Sequence, residues 1–556
     1  MDYYSRVNTD LLQLIPPDAS VVVEVGCGSG ALGSQYLKVN PFCRYVGMEI
    51  NPEAAGRAAG HLSRVLAGNA EELALDEDNV DCLVYGDVLE HMVDPWATVR
   101  RHVLQLKAGG QVVACIPNVQ HWSVLVSLLR GQWRYQSEGL LDSTHLRFFT
   151  LEGIQGLFAQ AGLSVFDIKS RNLRQEGIGD FQAALRPVVE KMGIDFQAFS
   201  RQTAAFQYIV RAVKGPSPRR LLIQSLLGET KVCARTRILE PNKFLATIPG
   251  VQTQSEVDTA HLRGNIPGED KVFIWQRIHV GETARQQELL RRGYLIVAEM
   301  DDDPLRWPEH PQSDFFTFRS CHAVQVSTEA LAEFIRPLNP NVAVFPNQLA
   351  YLPSPRVYED GVLTLFFGAL NREEDWLAVM PCLNRLLQQV KNRVKVTVIH
   401  DRAFFDALET SNKEFTPFCS YEEYVSALRK ADIALLPLQP TRFNRMKSDL
   451  KFLECAGNGV VALASPTVYE ASITDGKTGF IYRTPAEFET KLKLLLEDRA
   501  LRQNLAGAAY SWVGRNRLLS QHYQQRYAWY RDLIARLPEL NEALEERVPG
   551  IVSDIK

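Results

Sequence analysis

The 556-residue chain has no CxxC pair among its nine cysteines and no excess of basic charge, its formal net charge being -4. Nor does any stretch reach the ~18 uninterrupted apolar residues that a membrane-spanning helix needs. Cysteines placed singly argue against the dense disulfide framework of a small secreted domain and read as reduced core thiols of a cytoplasmic protein. Without a basic footprint, nucleic acid is not expected as a partner. The N-terminal stretch MDYYSRVNTDLLQLIPP lacks the basic flank and apolar core of a signal peptide, so no membrane span is expected. Peripheral attachment at the inner face of a membrane stays open. There is no short repeat and no low-complexity tract. What is present is ordinary soluble composition, 46% hydrophobic and 23% charged. The length exceeds one core and implies several compact units at roughly 100–200 residues each.

Those units can be followed along the chain. From Val21 to about Ile168, the apolar runs VVVEV, RYVGMEI, DCLVYGD and GGQVVACIPN alternate with amphipathic segments, ending with LEGIQGLFAQAG and LSVFDI. Such alternation predicts a parallel sheet covered on both faces. A helix is predicted near Phe181–Met192. The segment KGPSPRR, Lys214–Arg220, is the clearest linker, because its prolines and basic residues continue neither strand nor helix. Beyond it the alternation restarts in two sections. KVFIWQRI, LIVAEMDDD and HAVQVSTEAL belong to the first; LTLFFGALNRE, VKVTVIHD, ADIALLPL and GVVALAS belong to the second. The tail from Leu518 to about Leu540 is helical in pattern and long enough to pack back on an earlier unit.

The first strand ends in EVGCGSGALG, where glycines let the backbone turn sharply and approach a ligand at a helix start. Two patterns fit. Gly26, Gly28 and Ala31, or Gly28, Gly30 and Gly33, satisfy the dinucleotide fingerprint. Glu24, Gly26, Gly28 and Gly30 equally satisfy the ExGxGxG loop of S-adenosylmethionine enzymes. Glu49, at the end of the second strand, suits the ribose hydroxyls in either class. The downstream set decides: AGNAEEL around Asn69, VDCLVYGDVLEHMVDPW over Val80–Trp96, and IPN at Ile116–Asn118. Together these resemble the class I S-adenosylmethionine-dependent methyltransferases, in particular the ubiquinone-biosynthesis type of O-methyltransferase. The resemblance implies that Glu24, Gly26, Gly28 and Gly30 form the loop beside the methionine moiety, that Glu49 holds the ribose, that Asn69 and Ala70 meet the adenine, and that Asp87 lies at the cofactor crevice.

Methyl transfer to a hydroxyl needs alignment with the sulfonium and a base for the departing proton. His91, His121 and His145 are candidates. The segment GLLDSTHLRFFT resembles one shared by methyltransferases associated with polysaccharide-building enzymes. It favours His145 as the base with Asp142 orienting it. A loop-bracing role for His145 and Arg147 is the alternative.

In the second section, a helix read from about Lys447 places Lys447, Lys451 and Glu454 on one narrow face. That face is either a solvated ion pair or the cations and carboxylate of a nucleotide-sugar site. The blocks FFGALNRE, YEEYVSALRKADIALLPL, KFLECAGNGVVALAS and DGKTGFIY resemble the donor domain of group-1-type GT-B glycosyltransferases. The resemblance makes Gly368, Asn371 and Arg372 the phosphate-side loop. It matches Glu454 to the second glutamate of the family's Glu, seven residues, Glu pattern. Met446 stands at the first position. Asp301, Asp302 and Asp303 invite a metal, but with a separate donor domain present an acceptor-site or turn role is expected and no metal site is assigned.

The expected organisation is therefore α/β throughout. A Rossmann-like methyltransferase domain occupies 1–213 and a linker 214–220. A GT-B acceptor domain follows at 221–352, a donor domain at 353–517, and a helical tail at 518–556. The expected ligands are S-adenosylmethionine and a nucleotide-diphosphate sugar, with a glycan or lipid-linked saccharide as acceptor. The alternative is a monofunctional methyltransferase whose second half is an inactive glycan-binding module.

Overall fold

The apolar run at Val21 becomes an inner strand of a seven-stranded sheet in the protein's computed structural model, which describes residues 7–228, 232–358, 361–370 and 372–552. The strands are β1 Val21–Val25, β2 Arg44–Glu49, β3 Arg64–Ala67, β4 Val80–Gly86, β5 Leu106–Pro117, β6 Leu163–Arg171 and β7 Gln207–Lys214. Their order is β3-β2-β1-β4-β5-β7-β6. The first five pair in parallel, whereas β7 lies antiparallel between β5 and β6. A dinucleotide-binding sheet would continue from β5 with a parallel sixth strand. The reversed β7 removes the second mononucleotide half and settles the ambiguity of the glycine loop in favour of the methyltransferase topology. Alternate residues of each strand feed two cores. Val23, Val25, Met48, Leu83 and Tyr85 face one way, and Val22, Tyr45, Cys82, Val84 and Cys115 the other. Both faces are covered, which is why the strands read as continuous apolar runs. The strand order reverses between β1 and β4, and the crevice at their carboxyl ends is where such sheets take ligands.

The chain divides into two compact units, Met1–Arg220 with Ala246–Val251, and Leu221–Leu245 with Gln252–Lys556. The short return segment of the first unit is held by Arg211 of β7, which is 2% exposed. Its guanidinium donates to the carbonyls of Ala246, at 2.8 Å, and Thr247. Gly250, at φ +81, packs on the Arg219 carbonyl so closely that a Cβ would sit 2.7 Å from that oxygen.

The second unit contains two six-stranded sheets. The first holds β8 Arg220–Leu227, β9 Val251–Val257, β10 Glu269–Gln276, β11 Tyr294–Met300, β12 Ala323–Val326 and β13 Val342–Val344, in the order β13-β12-β11-β10-β8-β9. The second holds β14 Leu363–Gly368, β15 Val394–Ile399, β16 Lys413–Thr416, β17 Ile433–Leu436, β18 Val461–Ala464 and β19 Phe480–Ile481, in the order β16-β15-β14-β17-β18-β19 and parallel throughout. Two such sheets in tandem form the GT-B arrangement. The tail helices Tyr523–Ala535 and Leu537–Arg547 return to the first of these sheets. There Tyr530 donates to Gln325 at 2.6 Å and Arg547 donates to the Cys321 carbonyl at 2.8 Å. All nine cysteines are free thiols. No helix among the described residues is long and apolar enough to cross a membrane.

Candidate functional site

In the first unit the loop after β1 takes left-handed backbone at every second residue, with φ +75 at Gly26, +55 at Gly28 and +78 at Gly30. Only glycine adopts these angles without strain. A Cβ on Gly26 would also lie 2.9 Å from Val88. The loop is tied to β2 by the amides of Gly26 and Cys27, which donate to the Met48 carbonyl at 2.8 and 3.1 Å. Glu49 does more than wait for a ribose. Its Oε2 accepts the Gly28 amide at 2.8 Å and its Oε1 accepts the Asn51 amide at 2.9 Å, so the carboxylate sets the loop that surrounds it. Each oxygen keeps a lone pair for a hydroxyl.

Glu24 lies beneath this loop, accepting the Tyr45 hydroxyl at 3.0 Å. Burial pushes its carboxyl up to about 8, the Tyr45 hydrogen bond opposes this, and the Glu49 charge adds to it. The folded value exceeds the unfolded one, so the stability tied to this group is whole at pH below about 4.5 and is lost progressively as pH rises towards 8, at ~1.4 kcal/mol per unit. Glu24→Gln, which still accepts from Tyr45, should flatten that decline. Thermal melts from pH 5 to 8 that fall in parallel for both proteins would remove Glu24 from the titration.

The other expected cofactor contacts fare differently. Asn69 Oδ1 accepts the Glu71 amide at 3.0 Å, and the Ala70 carbonyl takes Arg101 at 2.7 Å. Both positions thus shape the turn after β3, and the Asn69 carboxamide oxygen is used locally. Asp87 follows directly on the end of β4 with left-handed backbone, φ +51, and its Oδ1 accepts Gln207 at 2.5 Å and the Cys115 thiol at 3.1 Å, which links β5 and β7. Its neighbour Val88 packs on the glycine loop.

The histidines also separate. His121 is fully buried and caps the helix Trp122–Leu129, and burial pushes it down to about 4; it is a structural residue. His91 and His145 come together with rings 4.8 Å apart. The sequence leads one to expect Asp142 to orient His145, but among the described residues no side-chain hydrogen bond joins the two. Asp142 Oδ1 instead accepts the Thr144 amide and hydroxyl at 2.8 and 2.6 Å, and Thr144 Oγ1 lies 3.1 Å from His91 Nδ1. The tight turn brings Thr144, two residues on, between the aspartate and the imidazole. His145 Nδ1 lies 3.3 Å from the Leu140 carbonyl, which leaves Nε2 as the basic nitrogen, 4.0 Å from Glu90 Oε1. Burial and the neighbouring His91 hold His145 below its ordinary range.

Glu90 is the residue sequence reasoning missed. It is 1% exposed, and neither side-chain oxygen has a hydrogen-bond partner. Burial, reinforced by Asp87, pushes its carboxyl well up. The ligand atoms of Glu90, His91 and His145 lie within 4.8 Å of one another, a donor set suited to a divalent cation. The sequence signal was a glutamate directly after the apolar pair Val88 and Leu89, in DVLEH.

In the second unit the expected donor residues gather at the carboxyl ends of β14, β15 and β17. Gly368 ends β14, and a Cβ there would strike the rings of Phe366 and Tyr424 at 2.6 to 2.7 Å. Asn371 lies outside the described residues. Arg372 Nη1 reaches Asp375 at 3.2 Å and Asn444 at 3.0 Å. Lys451 donates to Tyr424 at 2.9 Å and lies 3.8 Å from Glu454. Glu454 is 2% exposed, and burial raises its carboxyl against the pull of Lys451, Tyr421 and Tyr424.

The helix does not begin at Lys447. It runs Leu450–Gly457, after a separate turn of helix Arg442–Arg445, so Lys447 leaves the face shared by Lys451 and Glu454. The cause is docking of the intervening loop on the first half of the unit. Met446 is buried in the apolar cluster of Phe273, Trp275, Met300 and Leu331, its carbonyl accepts Thr328, and Lys447 lies 3.4 Å from Asp302. The aspartate run is engaged by cations throughout. Arg277 meets Asp301 at 3.0 Å and Asp302 at 3.2 Å, Arg306 meets Asp302 at 3.3 Å, and Arg442 meets Asp303 at 2.6 Å.

In comparison with known proteins, residues 2–168 match the family described as methyltransferase domain, and residues 374–532 match the family described as glycosyl transferase-like. The chain carries a methyltransferase domain in the first stretch and a glycosyl transferase-like domain in the second. Among curated proteins it is similar to the ubiquinone biosynthesis O-methyltransferase of Cereibacter sphaeroides strain KD131, 25% identical over 175 residues, which is 30% of this chain and 68% of that protein. An uncharacterized 37.1 kDa protein of a Streptomyces fradiae transposon is 27% identical over 121 residues, 21% of this chain and 34% of that one. Among solved structures, TarM is matched at 10% identity with a TM-score of 0.38, covering 48% of this chain and 54% of its own. A methyltransferase of Thermotoga maritima is matched at 17% identity with a TM-score of 0.27, covering 38% and 91%. The chain thus spans about half the length of TarM.

Proposed function

We propose that the protein is a bifunctional enzyme. The first unit moves the methyl group of S-adenosylmethionine to a hydroxyl of a glycan or lipid-linked saccharide, and the second unit adds a sugar from a nucleotide-diphosphate donor. The observation that carries the methyl-transfer reading is the pairing of the left-handed glycine loop and Glu49 with a buried imidazole, His145, at the carboxyl edge of one sheet. The sulfonium supplies the electrophile. The loop and Glu49 hold and orient the cofactor, and His145 Nε2 receives the hydroxyl proton. For sugar transfer, Lys447, Lys451 and Arg372 supply cations for the diphosphate, and Glu454 accepts ribose hydroxyls. Fusion of the two domains favours a shared surface polysaccharide or related glycan as substrate, since tethering raises local concentration.

One observation favours a second reading of the first site. The unpartnered oxygens of Glu90 beside two imidazoles suit a divalent cation that would hold and acidify the acceptor hydroxyl. For the second unit, burial of Met446 away from the sugar position favours a glycan-binding module without transfer.

Calorimetry with S-adenosylmethionine, NAD and the UDP-, GDP- and dTDP-sugars tests the ligand assignments. The cofactor should bind and NAD should not. Glu49→Ala should weaken cofactor binding by up to about 1.5–3 kcal/mol for each hydrogen bond lost to the charged oxygens. Unchanged affinity would take Glu49 out of the site. Methyl transfer that survives EDTA treatment supports His145 acting alone, and loss restored by Mg²⁺ or Zn²⁺ supports the cation. Nucleotide release without sugar incorporation into any acceptor would leave the second unit a binding module.

A further inference from the structure

We propose that Asp302 is an internal stand-in for the donor's diphosphate: in the empty site its carboxylate occupies cations that the diphosphate takes over, and donor binding displaces it. The proposal rests on the reading of Lys447 as a phosphate-side lysine.

Three cations from three segments converge on this one carboxylate. Arg277 Nη2 comes from the end of β10 at 3.2 Å, Arg306 Nη1 from the turn after the aspartate run at 3.3 Å, and Lys447 Nζ from the second half of the unit at 3.4 Å. Among the described residues, Asp302 is the only carboxylate within ion-pair reach of Lys447 or Arg306. Asp302 is 6% exposed and the Arg277 and Lys447 side chains are largely buried, so solvent screens those two pairs little, while Arg306 stands half in solvent. All three distances exceed the roughly 2.7–2.9 Å of a well-seated charge-assisted bond. The carboxylate brings one negative charge to three cations and also accepts the Asp303 amide at 3.0 Å, while a diphosphate presents more oxygens and more charge over a larger span. Charge counts the same way. Among the described residues Arg306 and Lys447 share the single charge of Asp302, which leaves that pair of cations under-neutralised where the donor's anion is needed. Lys447 also stands over the Phe443 ring at 4.0 Å, which fixes its ammonium when the carboxylate leaves. Arg277 and Arg306 belong to the first half of the unit and Lys447 to the second, so the incoming diphosphate replaces a bridge that already spans the cleft.

Titration of the full chain with UDP, GDP and dTDP, followed by calorimetry, tests the exchange. Asp302→Asn should bind at least one of these nucleotides about tenfold more tightly than the wild type. In a Lys447→Ala background the same substitution should change affinity by less than about twofold, since the competition has lost its object. Arg306→Gln changes a half-exposed side chain that the fold tolerates, and should weaken nucleotide binding by about threefold or more. Unchanged or weaker binding in Asp302→Asn with a retained thermal transition overturns the proposal, as does unchanged binding in Arg306→Gln. So does a failure of both wild type and Asp302→Asn to bind any of the three. If Lys447→Ala leaves wild-type nucleotide affinity intact, the donor-site reading fails instead.

Discussion

His145→Ala should lower methyl transfer by about 10²–10⁴-fold while cofactor affinity stays within about twofold of the wild type. The imidazole's Nδ1 is committed to the Leu140 carbonyl, which leaves Nε2 as the nitrogen to take a proton. Burial and the adjacent His91 hold its pKa below the ordinary 6.5. A base must be neutral to act, so the wild-type rate should stay level as pH falls through 6.5 and decline only below it. Single-turnover methylation across pH 5 to 8 measures both effects. A variant that loses its thermal transition as well as activity would mean that the ring braces the loop, and a rate limb centred above 6.5 would mean that another group titrates. Glu90→Gln is the matching control, because it keeps the volume of the buried side chain while removing its ability to ionise.

The second large effect concerns where the methyltransferase ends. A chain stopped at Arg220 should be markedly less stable than the first unit in the full protein, and should bind cofactor poorly as a result. Stopping there removes Ala246 and Thr247, whose carbonyls accept from the buried guanidinium of Arg211. Each hydrogen bond to a charged donor is worth ~1.5–3 kcal/mol, and burial denies the guanidinium replacement by water. Joining residues 1–220 to 246–251 through a flexible linker should restore most of the lost stability. Equal melting temperatures for the stopped and joined chains would show that the return segment is dispensable.

That second result could not have been drawn from the sequence. The linker at Lys214–Arg220 is readable because proline and glycine act locally on the backbone. The return of Ala246–Val251 depends on a guanidinium some 35 residues away in the chain, and no periodicity reports it. The same distinction runs through both sites. The glycine loop was legible because left-handed backbone calls for glycine, whereas its bond to Glu49, made across two strands, was not. The topology was legible up to β5, while the reversal of β7 was not, since a strand's apolar pattern carries no direction. Asp142 was assigned to His145 by proximity in sequence, but a single tight turn handed its oxygen to Thr144 and so to His91. Lys447 fell off its predicted helix because a partner over a hundred residues earlier, Asp302, holds the loop out of helical register.

Met446 gives this docking a chemical consequence. At the position where the sequence resemblance leads one to expect a glutamate, Met446 packs its thioether among Phe273, Trp275 and Met300. Returning a carboxylate there would bury a charge in an apolar cluster and drive the loop off its seat, rather than restore a contact to the sugar. The loop's anchorage and a carboxylate at position 446 are therefore mutually exclusive: the side chain that seats the loop is one that only an apolar residue can replace.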